Sequence, residues 1–555
     1  MNEFTAYNIY YFFMFDLGHN ANFIFEYVND CKLIFPEIFL VTSILILIIY
    51  GALVAALLKF NFPLINRTMS WLTILVLVLL GILLLNSSHF YFKNFAFNNT
   101  LIFDDLANFS KIALITFSII CVLIMQNYII KYQLNSFEYF ILLLLSVLGS
   151  LLLCSSFDLI TIYLAIELQS LAFYVLASFK RESSFSTEAG LKYFILGSFS
   201  SGLLLFGTSF IYGYLGTTNL GDINQLLIFF SDATVYNRGL DSSLQNYNIL
   251  DLSTNYSIIL LYISLFFIAS ALLFKISAAP YHMWSPDVYE GSPTSSTLFF
   301  AIIPKIALFV VITRIIHYSF SDLIGFTKQF LTLTAILSVA VGAFTSLKQR
   351  KIKRLLAYSS IGHVGYLLIA LCCSNLEGNH SLFFYLFVYT VTSMGLWSIV
   401  LINEPVKNNF TSSYQYPTKN LSDLSGLIKS NLILSVTFSM LLFSLAGIPP
   451  LAGFYAKILV FFSAIESNLF LLALIGVLTS VVSAYYYLRI IKIMCFDKKI
   501  TTYALLDNTI DYQKALILGV SLFLLFFLFI ESNLLSLICY KMSFTSPSVL
   551  MNVTF

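Results

Sequence analysis

The stretch from Phe274 to Asp287, Phe-Lys-Ile-Ser-Ala-Ala-Pro-Tyr-His-Met-Trp-Ser-Pro-Asp, places a lysine and a proline break inside an apolar span. The run from Ser257 to Phe274 carries no charge, and Pro280 lacks the N–H that an uninterrupted helix needs. A lysine in hydrocarbon is costly and normally faces a bundle interior or a wet cavity. A helix broken beside it frees backbone carbonyls, which are tolerated at membrane depth only where protein or water surrounds them. This stretch therefore predicts an ion pathway within a bundle of membrane helices.

The composition of the chain also indicates a membrane protein. Hydrophobic residues make up 59% of the 555 residues and charged residues only 10%, whereas soluble domains carry about 25% charged residues. The net charge of +2 includes no basic arm or domain, so we expect no nucleic-acid partner. The 7 cysteines form no CxxC pair, and we interpret them as small hydrophobic residues. No nucleotide-binding loop, iron–sulfur motif or haem-ligand pair is visible, which leaves transport as the activity of this chain.

Apolar stretches long enough to span a bilayer recur along the chain, after an N-terminal extension at residues 1–36 that lacks the basic flank of a targeting segment. We predict an all-α integral membrane protein with about fourteen transmembrane helices. The predicted spans lie at residues 37–58, 69–87, 110–130, 137–154, 157–178, 188–213, 257–292, 296–319, 329–346, 354–373, 381–402, 431–465, 469–491 and 513–538.

The loop charges predict an orientation for these spans. Most of the 29 basic residues follow odd-numbered spans, including the cluster from Lys348 to Arg354. Because cytoplasm-like faces collect Lys and Arg, we expect both termini on the less basic side. The chain is rich in Phe, Tyr, Asn and Ile, as expected from an AT-rich organellar genome, so we predict a mitochondrial inner membrane. The less basic side is then the intermembrane space. The cluster is most simply a solvated loop, which can also hold anionic lipid such as cardiolipin. The polar stretch from Gly216 to Tyr256 is predicted to be a loop on the less basic side.

A second interrupted span has the same components as the first. The apolar run from Leu432 to Ala446 breaks at Gly447, Pro449 and Pro450 and resumes with Lys457 one turn onward. Interrupted helices at corresponding positions of two halves are typical of inverted-repeat transporters. We therefore predict two inverted five-helix repeats, with spans seven and twelve broken. Prolines are also simply more common in membrane helices than in soluble ones, which is the alternative explanation of the two breaks.

The predicted divisions of the chain follow from these repeats. Spans one to three occupy residues 37–130, the first repeat residues 131–319 and the second repeat residues 320–491. The last span and the C-terminal tail occupy residues 492–555.

The other ionisable residues inside spans form a candidate row. Glu167 and Lys305 each lie about ten residues into a span, roughly 15 Å deep at 1.5 Å per residue. A buried lysine can release its proton, whereas arginine stays charged. Lys192 begins a span close to Glu188, and its alternative role is to extend its ammonium to the membrane surface. His363 is either a relay member or a neutral core histidine bonded to a carbonyl.

Five segments carry a resemblance to a known family. They are Tyr163-Leu-Ala-Ile-Glu-Leu-Gln-Ser-Leu, Ser186-Thr-Glu-Ala-Gly-Leu-Lys-Tyr-Phe-Ile-Leu-Gly, the stretch from Phe274 to Pro293, Arg354-Leu-Leu-Ala-Tyr-Ser-Ser-Ile-Gly-His-Val-Gly-Tyr and Ala446-Gly-Ile-Pro-Pro-Leu-Ala-Gly-Phe-Tyr-Ala-Lys. With these segments the chain resembles, from about Phe35 to Phe496, the antiporter-like membrane subunits of respiratory NADH:ubiquinone oxidoreductase, most closely the chain 2 subfamily.

The resemblance implies a proton-pumping unit of the membrane arm, driven by quinone reduction elsewhere in the complex. It implies that Glu167 and Lys192 form a modulating ion pair, that Lys275 and Lys305 are central in the proton path, that His363 lies between the half-channels, and that Lys457 belongs to the second half-channel. It implies no cofactor in this chain, because NADH, FMN, the iron–sulfur clusters and ubiquinone bind other subunits. The implied partners are the other membrane-arm subunits, neighbouring antiporter-like subunits among them, and membrane lipids.

Two alternative functions share these sequence features. A subunit of the related multi-subunit sodium/proton exchangers would have the same lysines and broken helices, and sodium dependence of transport would distinguish it. A non-pumping membrane scaffold would have kept the fold alone, at the cost of several buried ionisable groups.

Overall fold

The computed structural model describes residues 28–56, 62–86, 94–132, 134, 136–239, 248–402, 420–497 and 511–544. Most of the predicted N-terminal extension therefore lies outside the described residues. Helices account for nearly all of the described chain. In its first half these are α1 (Phe35–Ala56), α2 (Phe62–Asn86), α3 (Asp105–Lys131), α4 (Glu138–Ser155), α5 (Leu159–Ala177), α6 (Ser184–Leu215), α7 (Leu220–Gly239), α8 (Asn248–Lys275) and α9 (Trp284–Gly291).

The second half continues the helical pattern. It contains α10 (Thr294–Thr313), which passes into a π-helical turn at Arg314–Ser319, and a short 3₁₀ turn at Ser321–Leu323. The remaining helices are α11 (Ile324–Ser346), α12 (Ile352–Cys372), α13 (Leu376–Ile402), α14 (Leu427–Ser430), α15 (Leu432–Ala446), α16 (Ala452–Glu466), α17 (Phe470–Cys495), α18 (Tyr512–Ile530) and α19 (Asn533–Phe544).

The helices have the length and composition of membrane spans. Among the described residues, 12 helices are long and apolar enough to cross a membrane, and shorter apolar helices lie at Leu220–Phe229, Ile259–Lys275 and Leu432–Ala446. Because hydrocarbon offers the backbone no hydrogen-bond partner, such a chain satisfies its N–H and C=O groups within helices. The prediction of a helical membrane protein is confirmed.

A short β-hairpin departs from the all-α prediction. Strand β1 (Asn94–Ala96) pairs antiparallel with β2 (Leu101–Phe103). The turn between them holds Asn98 and Asn99 at φ of 52° and 63°, and asparagine tolerates this left-handed region better than most residues. The prediction missed the hairpin because its strands have only 3 residues each.

The polar stretch predicted as a loop after residue 216 is largely helical. Helix α7 occupies Leu220–Gly239, and α8 already begins at Asn248. Leu220 and Ile223 have no exposed surface, and Leu227 is 5% exposed. This spacing of three and four residues makes one apolar stripe, which packs against the protein. The loop prediction was wrong because it followed mean polarity and missed this stripe.

The predicted last span also ends earlier than expected. Helix α18 stops at Ile530, and a separate helix, α19, begins at Asn533. Tyr540 of α19 donates to the Glu377 carboxylate at 3.0 Å and stacks on the His380 ring with centroids 3.9 Å apart. These contacts hold α19 against the start of α13.

Helix α10 lies at the centre of the bundle, and nearly all of its residues are buried. Its neighbours include α3, α4 and α13. At Pro304, within this helix, the backbone has no N–H to donate. Lys305 is the next residue. Because it is only 3% exposed, its side chain faces protein and not lipid.

Helices α11 and α12 approach each other closely at two glycines. A Cβ added to Gly342 would lie 2.5 Å from the backbone nitrogen of Gly362. Small residues allow membrane helices to pack backbone against backbone, which gains dispersion contacts where lipid offers no hydrophobic driving force. This packing fixes α12, the helix that carries His363.

Two buried ion pairs join the first helices to one another and to the centre. The Lys111 ammonium in α3 lies 2.5 Å from the Glu37 carboxylate in α1, with side chains 0% and 4% exposed. Arg314, in the π-helical turn, lies 2.6 Å from Asp104, the N-cap of α3. Buried charges are retained in proteins when they are paired in this way.

Candidate functional site

The first helix break lies between α8 and α9. Helix α8 ends at Lys275, and Ser277 adopts a φ of 60° before Pro280. The half-buried Lys275 side chain donates to the Tyr174 hydroxyl in α5 at 3.3 Å. As the last residue of α8, Lys275 sits where the helix dipole is negative, which favours a cation.

A tryptophan closes part of this break. The Trp284 indole N–H donates to the Phe274 carbonyl at 3.0 Å, one residue before Lys275. The same indole stacks on Tyr193 in α6, with ring centroids 4.7 Å apart and an interplanar angle of 12°. The Phe274 carbonyl, which also accepts from the Ser277 N–H, is therefore bound by a side chain of α9, and α6 supports that side chain.

The second break lies between α15 and α16 and holds another lysine. Lys457 in α16 donates to the carbonyls of Leu445 and Ala446, at 2.8 and 2.9 Å. These carbonyls end α15, so the ammonium again lies at the negative end of a helix. Pro449 and Pro450 lie in the segment between the two helices, and the Lys457 side chain is buried.

Gly447 provides the space that the Lys457 side chain occupies. Its φ is 83°, and an added Cβ would lie 2.8 Å from the Lys457 Cδ atom and 3.2 Å from its Nζ atom. A left-handed non-glycine residue costs about 1–2 kcal/mol. Both the backbone conformation and the lysine therefore require glycine here.

We expect Gly447→Ala to move the Lys457 ammonium away from the two carbonyls and to lower proton pumping by roughly tenfold, since a misplacement of about 1 Å can cost up to about 100-fold. Gly216→Ala is the matched control. Its φ is 76°, and an added Cβ there meets nothing within 4 Å. Both variants carry the same backbone strain. Equal pumping by the two, measured with the assembled complex in liposomes, would show that the Lys457 contact is unimportant.

The lysine in α10 is bound by a tyrosine. The Lys305 ammonium donates to the Tyr389 hydroxyl in α13 at 2.8 Å and is 3% exposed. It also lies 4.7 Å from the centroid of the Tyr389 ring. No carboxylate of the described residues lies within salt-bridge distance of this ammonium. A buried lysine paired with a neutral group can exist in either protonation state.

His363 connects two further tyrosines. Its Nδ1 atom lies 2.7 Å from the Tyr385 hydroxyl and its Nε2 atom 3.0 Å from the Tyr487 hydroxyl. A neutral imidazole donates at one nitrogen and accepts at the other. A proton can therefore arrive at one side of the ring and leave from the other.

Two small cavities flank His363. One is bounded by His363, Tyr389, Ser444 and Lys457, among others, and the other by His363, Tyr366 and Ser483, among others. Each offers ≈ 10 Å³, about the space that a single water requires. The Ser444 hydroxyl at the first cavity is buried and has no hydrogen-bond partner within the described protein. A water there would join Lys457 to the tyrosines around His363.

The expected ion pair between Glu167 and Lys192 is not formed in this structure. Lys192 instead contacts Glu188, one turn earlier in α6, at 2.7 Å and Asp287 in α9 at 3.0 Å. Its side chain is 41% exposed, so it reaches these partners at the edge of the bundle. The Glu167 Oε1 atom is buried without a hydrogen-bond partner in the part of the chain that the structure describes. Glu167 lies within electrostatic range of Lys275.

The tyrosines that bind Lys305 and His363, and Asp287, which binds Lys192, were not predicted as site residues from the sequence. Tyr385 and Tyr389 are four residues apart, which places them on one face of a helix. That spacing was visible in the sequence, but nothing there indicates that the face turns toward His363 and Lys305. Asp287 is the last residue of the stretch that begins at Phe274, and its partners in α6 and α12 are 95 and 67 positions away.

Metal ligands do not cluster in the described residues. They contain no group of three or more His, Cys, Asp or Glu side chains that could hold a metal ion. All 7 cysteines of the sequence lie in the described ranges, and they are free thiols. The side chains around His363 are lysines and tyrosines, and these residue types can donate or accept protons.

Comparisons with known proteins identify the family of this chain. A family model described as NADH:quinone oxidoreductase/Mrp antiporter, TM, matches residues 156–483. NADH-ubiquinone oxidoreductase chain 2 of Marchantia polymorpha is 42% identical over 93% of this chain and 98% of its own length. NADH-quinone oxidoreductase subunit N of Pelagibacter ubique is 39% identical over 92% of this chain and 99% of its own.

Solved structures share the fold. A chain of respiratory complex I from Thermus thermophilus with bound aureothin superposes with a TM-score of 0.68 at 26% identity, covering 90% of this chain and 98% of that one. A chain of the Mrp complex from a Dietzia species reaches a TM-score of 0.70 at 16% identity, covering 93% and 97%, which shows a common fold alone. The exchanger alternative therefore rests on fold, whereas the high identities are with oxidoreductase subunits. The chain belongs to the family of antiporter-like membrane subunits of NADH:quinone oxidoreductase, called chain 2 or subunit N, which act with the other subunits of complex I in its proton-translocating membrane arm.

Proposed function

We propose that this subunit moves protons along a row of buried groups formed by Glu167, Lys192, Lys275, Lys305, His363 and Lys457. Quinone reduction elsewhere in the complex drives the transfer, and this chain supplies the proton path without a cofactor of its own. The observation that carries the proposal is the pairing of Lys305, at the centre of the bundle, with the neutral hydroxyl of Tyr389 at 2.8 Å. A lysine with a carboxylate partner would be held in its charged form, whereas this one is free to change its protonation state.

The middle of the path lies around His363. Tyr389 is adjacent to the imidazole, with ring centroids 5.2 Å apart. The cavity bounded by Tyr389, His363 and Lys457 has space for about one water. A proton released by Lys305 would pass through Tyr389 and this cavity to His363 or Lys457. Hydroxyl and imidazole groups suit this transfer because each can accept one proton while donating another.

The two ends of the path are the helix breaks. Lys275 and Lys457 each lie at the C-terminal end of an apolar helix, α8 and α15 respectively. The negative helix ends stabilise each ammonium without a permanent counter-charge. Glu167 lies within electrostatic range of Lys275, so a change in the distance between the two groups would change how readily the lysine exchanges its proton. Movement of Lys192 toward or away from Glu167 and Lys275 would set the moment at which Lys275 releases its proton.

The two helix breaks also define the proposed arrangement of spans and repeats along the chain. The interrupted helices α8–α9 and α15–α16 would be the seventh and twelfth of fourteen spans, with the inverted repeats at residues 131–319 and 320–491. Spans one to three would precede them at residues 37–130, and a last span would follow within residues 492–555. Both termini would face the intermembrane space of the mitochondrial inner membrane. The basic cluster from Lys348 to Arg354 would lie on the opposite side and contact anionic lipid such as cardiolipin.

The proposal is tested by Lys275→Met, which removes the titratable group and keeps an unbranched apolar side chain. Proton pumping and NADH oxidation are measured together in the assembled complex. Because Lys275 is partly exposed and water can partly replace it, we expect pumping to fall by roughly tenfold, less than the loss of about 100-fold or more that is typical for a positioned proton-transferring side chain. Native pumping and native coupled turnover in this variant would contradict the path and favour the scaffold alternative.

A further inference from the structure

Asp287 joins three helices at the edge of the candidate path. One carboxylate oxygen, Oδ2, accepts from the Lys192 ammonium in α6 at 3.0 Å. The other oxygen, Oδ1, accepts from the Arg354 guanidinium in α12 at 2.6 Å. Asp287 itself lies in α9, the short helix that follows the break at Lys275. The carboxylate therefore uses both oxygens to tie α9 to its two neighbours.

Glu290 forms further ion pairs between α9 and α12 but does not contact Lys192, which pairs with Asp287. The Arg354 Nε atom lies 2.7 Å from the Glu290 carboxylate, and Lys351 forms a second ion pair with Glu290. Within the described residues, Asp287 is the acidic side chain of α9 that contacts Lys192. Loss of its charge would leave Lys192 with Glu188, which lies on α6 itself and contacts no residue of α9 by an ion pair in that part of the chain.

Helix α9 also contacts the residues next to Lys192 and next to Lys275. Trp284, three residues before Asp287, stacks on Tyr193, the neighbour of Lys192 in α6. Its indole also binds the carbonyl of Phe274, the neighbour of Lys275. Lys192 and Lys275 are thus connected by one ion pair, one ring stack and one hydrogen bond, all through α9.

We propose that Asp287 is a positioning residue that holds the Lys192 ammonium on α9, away from Glu167, and thereby links the position of this charge to the backbone at Lys275. With Lys192 held there, Glu167 stays within electrostatic range of Lys275, and among the described residues its buried Oε1 atom has no hydrogen-bond partner. Release of Lys192 from Asp287 frees the ammonium and removes one of the contacts that fix α9. The inference rests on the proposed function, since it assigns Asp287 a role in the timing of that proton path.

The test uses the assembled complex in liposomes and compares Asp287→Asn, Asp287→Glu and the control Glu188→Gln. Asparagine keeps the size of the side chain and removes its charge, so we expect the ratio of protons pumped to NADH oxidised to fall by about two- to fivefold, the range for partly exposed ion pairs. Glutamate should restore most of the ratio. Glu188→Gln removes the other partner of Lys192 without touching α9, and pumping should stay native.

A double variant separates positioning from a general loss of structure. If Asp287 acts through Lys192, Asp287→Asn combined with Lys192→Gln should pump no worse than Lys192→Gln alone, because the two effects share one contact. The inference would be overturned if the losses of pumping in the two single variants multiplied in the double variant. Native pumping by Asp287→Asn would overturn it as well. Lys275→Met in the same preparation reports on the proton path itself. If that variant loses pumping while Asp287→Asn does not, the path stands and the role of Asp287 fails; if it pumps at the native rate, both fail.

Discussion

Lys305→Met should lower proton pumping on the order of a hundredfold, the lower end of the range for a positioned proton-transferring group in a site that water does not enter freely. Lys305 is 3% exposed and donates to the Tyr389 hydroxyl. Methionine fills similar space without a proton to exchange, so the central step of the path has no carrier. The measurement is the initial rate of proton uptake in liposomes, recorded with NADH oxidation.

Tyr389→Phe is the matched control for Lys305. It keeps the ring, which lies 4.7 Å from the ammonium, and removes the hydroxyl that binds it. We expect a smaller loss of pumping, because the lysine still titrates but its route toward His363 is broken at one hydroxyl. Native pumping in Lys305→Met, in a complex that assembles normally, would exclude Lys305 from the path.

Lys111→Met should destabilise the protein by about 3–5 kcal/mol, the cost of leaving one partner of a buried ion pair uncompensated. Glu37 would then be buried without its cation, and its Oε2 atom already has no hydrogen-bond partner in the described protein. The thermal unfolding of the purified complex reports this as a lower melting temperature of the subunit. Because the pair is outside the proposed path, pumping per assembled complex should stay native.

The double variant Glu37→Gln with Lys111→Met removes both charges of this pair. A neutral pair is much less costly to bury than one isolated charge, so the double variant should be more stable than Lys111→Met alone. An additive loss from the two changes would mean that the ion pair does not tie α1 to α3. A melting temperature unchanged by Lys111→Met would also mean that this ion pair does not hold α1 and α3 together.

The membrane fold could be predicted from the sequence because hydrocarbon imposes simple rules. Long apolar runs must be helical there, and the lysine and proline from Lys275 to Pro280 mark the end of such a helix. The structure ends α8 at Lys275 for these reasons. The same rules do not describe segments outside the long apolar runs, and the stretch from Gly216 to Tyr256 was wrongly predicted to be a loop. Helix α7 begins with an apolar segment at Leu220–Phe229 that is too short to span a bilayer, and the β-hairpin depends on a four-residue turn, so a search for membrane spans detects neither.

The candidate site was predictable by residue type but not by partner. A lysine deep in a span indicates a functional group because its burial is costly, which identified Lys305 and Lys457. Which tyrosine or carbonyl satisfies each ammonium depends on how distant helices pack. The pairing of Lys192 shows this limit: the resemblance implied Glu167 as its partner, whereas the fold brings Asp287 to it from 95 positions away.

The most direct test of the proton path compares Lys275→Arg with the native complex. Arginine keeps the positive charge at the helix break but holds its proton at any accessible pH. Lys275 is partly exposed and donates to the Tyr174 hydroxyl, so the described protein does not completely enclose its side chain. If Lys275 carries protons, the arginine variant should assemble normally and lose as much pumping per NADH as Lys275→Met. Native pumping by Lys275→Arg would mean that the break needs only a fixed charge, and that would contradict the proposed proton path.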